Sequence, residues 1–385
     1  MMPAFNLRIT RALAQRAEQG LTRTLLPHQG IAQGALHHHG QSFVHFSGND
    51  YLGLANSAEL VQAWQQGLGR WGAGSSASPL VTGFSDVHQR LIRELCDWLG
   101  YEDGVLFNSG FSANQATLFT LLEATDTLLQ DKLNHASLME AGMLGKAKMK
   151  RFKHNDTQHL TQLLTDDIAN PFVVTEGVFS MDGDKAPLMD IATACQNRAW
   201  WMVDDAHGVG VHGPDGAGSC ALAGVKPDIL VVTFGKAFGL SGAVVLTRRE
   251  VADYLTQFAR HHVYSTAMPP AQAHALLHAT HMIQTQQWRR DKLNELQHVY
   301  HDVFHFLPGY VATDTPIKPF IVGESERALR LARCLKERGY WLTAIRPPTV
   351  AQGKARLRIT LTADHNPEQI IALAQELTRL FEEGI

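Results

Sequence analysis

Short, almost entirely apolar runs, separated by longer helical patterns, constrain the fold of this chain more than any other feature. These runs cover residues 104–107, 172–175, 201–203, 229–232 and 243–246. Because successive side chains in a strand point to opposite faces, an apolar run must be covered on both faces, as in a parallel sheet between helices. The pattern therefore predicts an α/β fold built on a mostly parallel sheet.

The pattern changes after the polar stretch 284–292. Strands are predicted at 317–322, 341–345 and 356–361, with helices at 327–338 and 367–381. This is typical of a smaller α+β domain. We therefore expect an N-terminal arm (1–50), a large α/β domain (51–286) and a small C-terminal α+β domain (287–385).

Composition excludes several classes of protein. The 385 residues carry a formal net charge of −3 and no basic cluster, so no nucleic-acid partner is expected. No apolar stretch approaches the roughly 18 residues that span a membrane, and the N-terminus lacks a signal-peptide core. The four cysteines form no C-x-x-C pair, which favours reduced thiols in the cytoplasm. His37, His38 and His39 lie in a polar turn without partner ligands, so no metal site is expected.

Residues 108–112 lie between a predicted strand and a predicted helix. Small residues such as Gly110 let the backbone approach a ligand, and the start of a helix offers unpaired N–H groups to a phosphate. Phe111 adds an aromatic surface. A Ser-Gly pair at a helix start is also ordinary capping, so this segment alone does not define a site.

Two further segments follow apolar strands and carry reactive groups. Asp204 and Asp205 follow one strand, and such a carboxylate can keep a pyridine nitrogen protonated, with His207 close by. A solvated turn or a magnesium site would have the same residues. Lys236 follows another strand among small and aromatic residues, where burial would make its amine nucleophilic, and Thr233 can contact a phosphate. An isolated lysine in a loop is usually structural.

Two weaker signals involve His135 and the 356–358 strand. His135 lies at a predicted helix start, where histidine usually caps or packs, although in a cofactor site it could stack on a ring. Alternation places Arg356 and Arg358 on one face of a strand, and arginine is the planar partner of a carboxylate. The alternative is the charged outer face of an edge strand.

Taken in order, these segments resemble the α-oxoamine synthases. These are fold-type-I pyridoxal-phosphate (PLP) enzymes that join an amino acid to an acyl thioester with loss of CO₂. The matching segments are 49–54, 135–137, 176–184, 204–208, 233–236, 264–266 and 356–358. The resemblance covers the chain from about residue 20 onward, and together its motifs are highly specific.

The resemblance implies a role for each site residue. Lys236 would hold PLP as an imine, Asp204 would pair with the pyridine nitrogen, His207 would contact the phenolic oxygen, and His135 would stack on the ring. The residues expected to position the cofactor are Gly110, Phe111, Ser180 and Thr233, with Thr266 reaching the phosphate from the neighbouring subunit of a homodimer. The expected substrate contacts are Asn49 and Arg358 on polar groups, together with His135, and Arg23 and Thr349 at the acyl-donor site.

Segments 152–156 and 344–350 resemble the biotin-pathway member of the family. That similarity implies L-alanine and a pimeloyl thioester as substrates, with coenzyme A or an acyl carrier protein as the acyl carrier. Alternatives are a family member that uses glycine with acetyl-CoA or succinyl-CoA, an aminotransferase, or a catalytically silent binding partner. The chain departs from the family pattern at 74–80, which has fewer glycines, and at Ala351, where a proline is usual.

Overall fold

The computed structural model describes residues 3–165 and 167–385; Met1 and Met2 of the predicted arm lie outside the described residues, as does Asp166. The strands, in chain order, are β1 (Gly30–Ala32), β2 (Ala35–His38), β3 (Gln41–His45), β4 (Asp103–Phe107), β5 (Thr127–Asp131), β6 (Lys148–Phe152), β7 (Pro171–Glu176), β8 (Trp200–Asp204), β9 (Ile229–Thr233), β10 (Ala243–Thr247), β11 (Ile317–Gly323), β12 (Tyr340–Trp341), β13 (Thr343–Ile345) and β14 (Ala355–Thr360).

Helices separate most of these strands. In chain order they are α1 (Pro3–Glu18), α2 (Ala58–Trp71), α3 (Asp86–Leu99), α4 (Gly110–Leu121), α5 (Ala136–Leu144), α6 (Thr157–Leu163), α7 (Leu188–Cys195), α8 (Gly218–Ala223), α9 (Arg249–Phe258), α10 (Arg260–Val263), α11 (Pro270–Thr285), α12 (Trp288–Phe304), α13 (Ser325–Glu337) and α14 (Pro367–Glu382). In the part of the chain that the structure describes, no helix is long and apolar enough to cross a bilayer.

A seven-stranded sheet in the order β4-β10-β9-β8-β7-β5-β6 forms the centre of the molecule. The pairs along β9-β8-β7-β5-β6 are parallel, which confirms the predicted mostly parallel α/β sheet. Strand β10 is the exception, because it runs antiparallel to both β9 and β4. The apolar pattern did not predict β5 and β6, since Gln130 and Asp131 interrupt the first and basic residues the second.

Helices cover both faces of this sheet, which explains the apolar runs. On β9, Ile229 and Val231 pack into a cluster with residues of α4, α5 and α9. Their neighbours Leu230 and Val232 belong to the larger cluster on the opposite face. All four side chains are at most 2% exposed, so neither face of the strand can carry a polar residue without a partner.

Two smaller sheets flank the central one. Strands β11, β14 and β13 form an antiparallel sheet with β14 in the middle. Strands β1, β2, β3 and β12 form the other, in which Tyr340 and Trp341 pair in parallel with Val44 and His45. The prediction of a single strand at 341–345 is therefore wrong. This segment contains the end of β12 and all of β13, which lie on either side of buried Leu342 and belong to different sheets. The division into 1–50, 51–286 and 287–385 stays a prediction.

Candidate active site

A cavity of about 530 Å³ lies at the carboxyl ends of the central parallel strands. This is the edge of an open α/β sheet where ligands bind. Ten of the predicted site residues line this cavity: Asn49, Gly110, Phe111, His135, Ser180, Asp204, His207, Thr233, Lys236 and Arg358. Residues far apart in sequence, such as Asn49 and Arg358, therefore line the same cavity.

Lys236 presents its amine to this cavity from the loop after β9. Its Nζ donates a hydrogen bond to Thr233 Oγ1 at 3.1 Å. Burial lowers the pKa of Lys236 and outweighs the charge of Asp204, which acts in the opposite direction. A larger fraction of the amine is therefore unprotonated, and only the unprotonated amine attacks a carbonyl carbon.

Asp204 ends β8 and its carboxylate is held by an amide that sequence reasoning missed. Asn114 Nδ2 donates to Asp204 Oδ2 at 2.6 Å and also to Ser137 Oγ at 2.9 Å. The other carboxylate oxygen accepts from Ala206 N at 3.1 Å. Asn114 is four residues after Gly110 on α4, so the helical period was the available signal. The hydrogen bonds fix one orientation of a buried carboxylate.

Glu176 is a second carboxyl group in the cavity and was not predicted as a site residue. It ends β7 and pairs in register with Asp204 on β8. Burial, and then the charge of Asp204, raise the pKa of Glu176 well above its ordinary value. This direction favours the protonated, neutral form of the Glu176 carboxyl group. Its place at the end of an apolar strand was the signal that could have identified it.

His207 is neutral and is oriented by Tyr51, which was also missed as a site residue. The Tyr51 hydroxyl lies 2.5 Å from His207 Nδ1. Burial lowers the pKa of His207 well below its ordinary value, and the positive charges of Lys236 and Arg358 lower it further. Burial raises the pKa of Tyr51 to about 12, so its hydroxyl keeps its proton.

His135 both caps a helix and lines the cavity. Its Nδ1 lies 2.8 Å from Ser137 Oγ and accepts from Ser137 N at 3.3 Å, at the start of α5. The capping role weighed for this residue is thus confirmed. Its ring contacts Phe111 edge-on, with centroids 6.3 Å apart. Burial lowers the pKa of His135 and, with the positive charge of Lys236, outweighs the charge of Asp204, so the ring is neutral at physiological pH.

Arg356 and Arg358 are buried, and they do not lie on an edge strand. Strand β14 is the middle strand of its sheet, so the alternative of a charged outer face is wrong. Arg358 Nε donates to the Ser180 carbonyl at 2.7 Å, and Nη1 donates to Thr360 Oγ1 at 3.0 Å. Arg356 forms an ion pair with Asp182 at 2.6 Å. Only Arg358 of the two lines the cavity.

Arg23, Thr266 and Thr349 do not line the cavity within one chain, and all three are exposed. The Thr266 carbonyl accepts from Asn108 Nδ2 at 2.9 Å, which places Thr266 next to a cavity residue. The segments of Arg23 and Thr349 approach each other, since Arg346 Nη1 donates to the Gly20 carbonyl at 2.6 Å. The roles expected for these residues stay predictions.

The cavity has the groups that PLP requires. An amine for the aldehyde and a carboxylate for the ring nitrogen face the same space, and α4 begins there with Ser109 capping Ser112 N at 3.1 Å. A Cβ on Gly110 would lie 2.4 Å from Thr233 Cγ2, so glycine is needed where the helix start approaches β9. The helix start offers free N–H groups to a phosphate. The donor set thus fits the cofactor.

A larger groove, of about 1020 Å³, lies at the amino ends of the same strands. It is lined by residues such as Trp200 and Asn197 and contains none of the predicted site residues. Across residues 3–165 and 167–385, no three His, Cys, Asp or Glu side chains are grouped to hold a metal ion.

Comparisons with known proteins agree with this geometry. The family described as aminotransferase class I and II matches residues 41–377. This chain therefore belongs to the class I and II aminotransferase family, and within it to the 8-amino-7-oxononanoate synthases, to which its curated relatives belong. The 8-amino-7-oxononanoate synthase of Vibrio cholerae is 64% identical over 98% of both chains, and that of Vibrio atlanticus is 62% identical over 99% of this chain and 94% of the relative.

Solved structures are similar over most of the chain. The 8-amino-7-oxononanoate synthase of Francisella tularensis has a TM-score of 0.78 at 31% identity and covers 89% of this chain and 99% of that one. Serine palmitoyltransferase of Sphingomonas wittichii has a TM-score of 0.90 at 26% identity and covers 98% and 96% of the two chains. The predicted fold and the predicted family are both confirmed.

Proposed function

We propose that this protein joins L-alanine to a pimeloyl thioester with loss of CO₂ and forms 8-amino-7-oxononanoate, the reaction for which its curated relatives are named. The observation that carries the proposal is the Lys236 amine with its lowered pKa, beside Asp204 at the carboxyl ends of the sheet. The four isolated cysteines support a cytoplasmic location.

Residues of the cavity would contact PLP on four sides. Lys236 would bind its aldehyde carbon, Asp204 its ring nitrogen and His207 its phenolic oxygen, while His135 would cover one ring face. Gly110, Phe111, Ser180 and Thr233 would position the phosphate and the ring. When bound, the cofactor withdraws electrons from the α-carbon of the amino acid.

Arg358 and Asn49 would orient the amino acid. The guanidinium of Arg358 is fixed through Nε by the Ser180 carbonyl and through Nη1 by Thr360, and its Nη2 would bind the carboxylate. Lys236 Nζ is then the base for the α-proton, because its lowered pKa leaves it ready to accept one. Neutral His207 and Tyr51 keep the ring-oxygen side of the cavity free of further positive charge.

A homodimer would complete the site. Leu80, Val81 and Phe84 expose apolar side chains, and Phe84 and Thr266 line the same small cleft. A second copy of the chain bound on this surface would bury them and bring Thr266 of the partner subunit to the phosphate. Arg23 and Thr349 would contact the acyl donor, and coenzyme A or an acyl carrier protein would carry it.

A thiol-release assay tests the proposal. Purified holoprotein is given L-alanine or glycine with pimeloyl-CoA, acetyl-CoA or succinyl-CoA, and the product is identified by mass spectrometry. We expect turnover with alanine and pimeloyl-CoA to exceed every other pair. The Lys236→Ala variant should lose nearly all turnover, and Lys226→Ala, which changes a lysine of the opposite groove, should keep it. Preference for glycine, or amino transfer to a keto acid without thiol release, would contradict the proposal.

A further inference from the structure

His154 bridges two carboxylates outside the cavity that the proposed reaction does not use. It follows β6, and its Nδ1 lies 2.9 Å from Asp131 Oδ1 while its Nε2 lies 2.7 Å from Asp184 Oδ2. Burial alone would lower the pKa of His154, but the hydrogen bonds and charges of Asp131 and Asp184 outweigh it and raise the pKa to about 10. The ring is therefore a cation with both nitrogens donating.

Asp131 connects His154 to one wall of the cavity. It is fully buried at the end of β5, and its Oδ1 also accepts from Leu133 N at 2.8 Å. Asn134 N donates to the Asp131 carbonyl at 3.2 Å, which closes the turn that leads directly to His135. The position of His135 at the start of α5 thus depends on where Asp131 is held.

Asp184 connects His154 to the opposite wall. It lies in the 177–185 loop, which follows β7 and brings Ser180 and Met181 to the cavity. The His154 ring also packs edge-on against Phe179 of this loop, with centroids 4.4 Å apart. Asn155 Nδ2 adds a hydrogen bond to Asp184 Oδ2 at 2.9 Å. The loop is thereby attached to the turn that carries His135.

The far side of the 177–185 loop is held by the two arginines of β14. Arg356 pairs with Asp182, and Arg358 donates to the Ser180 carbonyl. Thr315 Oγ1 donates to the Gly183 carbonyl at 2.7 Å. A shift of the loop away from His154 would therefore change the direction of the Arg358 side chain, because the Ser180 carbonyl of this loop holds its Nε.

We propose that His154 is a positioning residue of the active site. Its ring, bound to Asp131 and Asp184, fixes the distance between the turn that carries His135 and the 177–185 loop, and through Ser180 it sets the Arg358 guanidinium that receives the amino-acid carboxylate. The inference rests on the proposed function, and it assigns His154 to the recognition of the amino acid and not of the thioester.

The test compares His154→Gln, Asp184→Asn and the double variant with the exposed control His298→Gln. The dissociation constant of L-alanine from holoprotein is measured by the change in cofactor absorbance without thioester, and the KM of each substrate is measured in the full assay. We expect His154→Gln to raise both the dissociation constant and the KM of L-alanine about tenfold. The KM of the thioester should change by less than about twofold. The double variant should match His154→Gln, because the contact between His154 and Asp184 is already lost in that single variant.

Three results would overturn the inference. One is a lower melting temperature of His154→Gln with an unchanged dissociation constant and KM for L-alanine, because the effect of the substitution would then be purely structural. Another is an equal rise in the KM of both substrates, and the third is full additivity of the two substitutions. Asp184→Asn keeps the shape of a partly exposed side chain, so it tests the contact even where His154→Gln does not fold. If the proposed reaction itself is wrong, wild type fails in the thioester assay, whereas alanine binding still reports on His154.

Discussion

At the scale of single residues, buried charged groups in this protein depend on particular partners. Asp204 is 5% exposed and receives an amide donor from Asn114 and a backbone donor from Ala206. Removing a donor from a buried carboxylate costs more than the net value of the hydrogen bond, because the carboxylate stays buried. Substitution of a partner residue therefore tests the site as directly as substitution of the charged residue itself.

Asn114→Ala is expected to weaken PLP binding by about tenfold, since loss of one donor to a buried charged acceptor costs about 1–3 kcal/mol. The dissociation constant is measured by titrating apoprotein with PLP and following absorbance. Asn294→Ala, on the exposed side of α12, is the control and should leave the constant unchanged. Equal affinity of the Asn114 variant and wild type would show that Asp204 needs no amide donor.

The charge of His154 predicts a pH dependence of stability. The folded protein keeps this proton up to about pH 10, whereas an unfolded chain loses it near the ordinary value of 6.5. The stabilisation by His154 is therefore complete below pH 6.5, decreases between 6.5 and 10, and is absent above. In urea unfolding, His154→Gln should lower the free energy of unfolding more at about pH 6 than at about pH 9.5. A difference that is constant with pH would mean that the ring is neutral.

At the scale of elements, the junction of α4 with β9 sets the cofactor site. The helix begins at Gly110, and Thr233 at the end of β9 occupies the space where a Cβ would lie. Threonine is branched at Cβ and cannot easily move its methyl group aside. The close approach of the two elements therefore requires glycine at this position.

Gly110→Ala should destabilise the protein by about 1–3 kcal/mol, the usual cost of overpacking, and should weaken PLP binding by displacing the helix start. Chemical denaturation of apoprotein and holoprotein measures both effects. The matched control is Gly69→Ala inside α2, where no atom lies within 4 Å of the added Cβ. It should stabilise the protein by about 0.5–1 kcal/mol. Equal stability of the two variants would show that the contact with Thr233 is not tight.

At the scale of the whole molecule, the exposed apolar side chains around Val81 predict a homodimer. Val81 is 73% exposed in the single chain. Val81→Asp should therefore give a monomer in sedimentation experiments, with weaker PLP binding because Thr266 of the partner subunit is lost. Leu329→Asp, on α13, is the control and should leave the dimer intact. If the Val81→Asp variant stayed a dimer with normal PLP affinity, the dimer interface would have to lie on another surface.

Much of the fold and the centre of the site could be predicted from sequence. The apolar runs at β4, β7, β8, β9 and β10 are local signals, and each predicted strand lies within a residue of the observed one. The carboxyl ends of parallel strands meet at one edge, so Asp204 and Lys236 could be placed together before any coordinates. The direction of β10 could not, because an apolar run has the same pattern in either direction.

The amino-acid order by itself determined the five apolar strands β4, β7, β8, β9 and β10, the polar groups that follow β8 and β9, and the family to which the chain belongs. Only the tertiary structure decided that Tyr51 orients His207, that Asn114 holds Asp204, and that His154 joins Asp131 to Asp184. It also divided 341–345 between two sheets. The physical reason is distance along the chain: periodicity and turn chemistry act over a few residues, whereas hydrogen bonds between buried groups depend on neighbours that folding brings from far away.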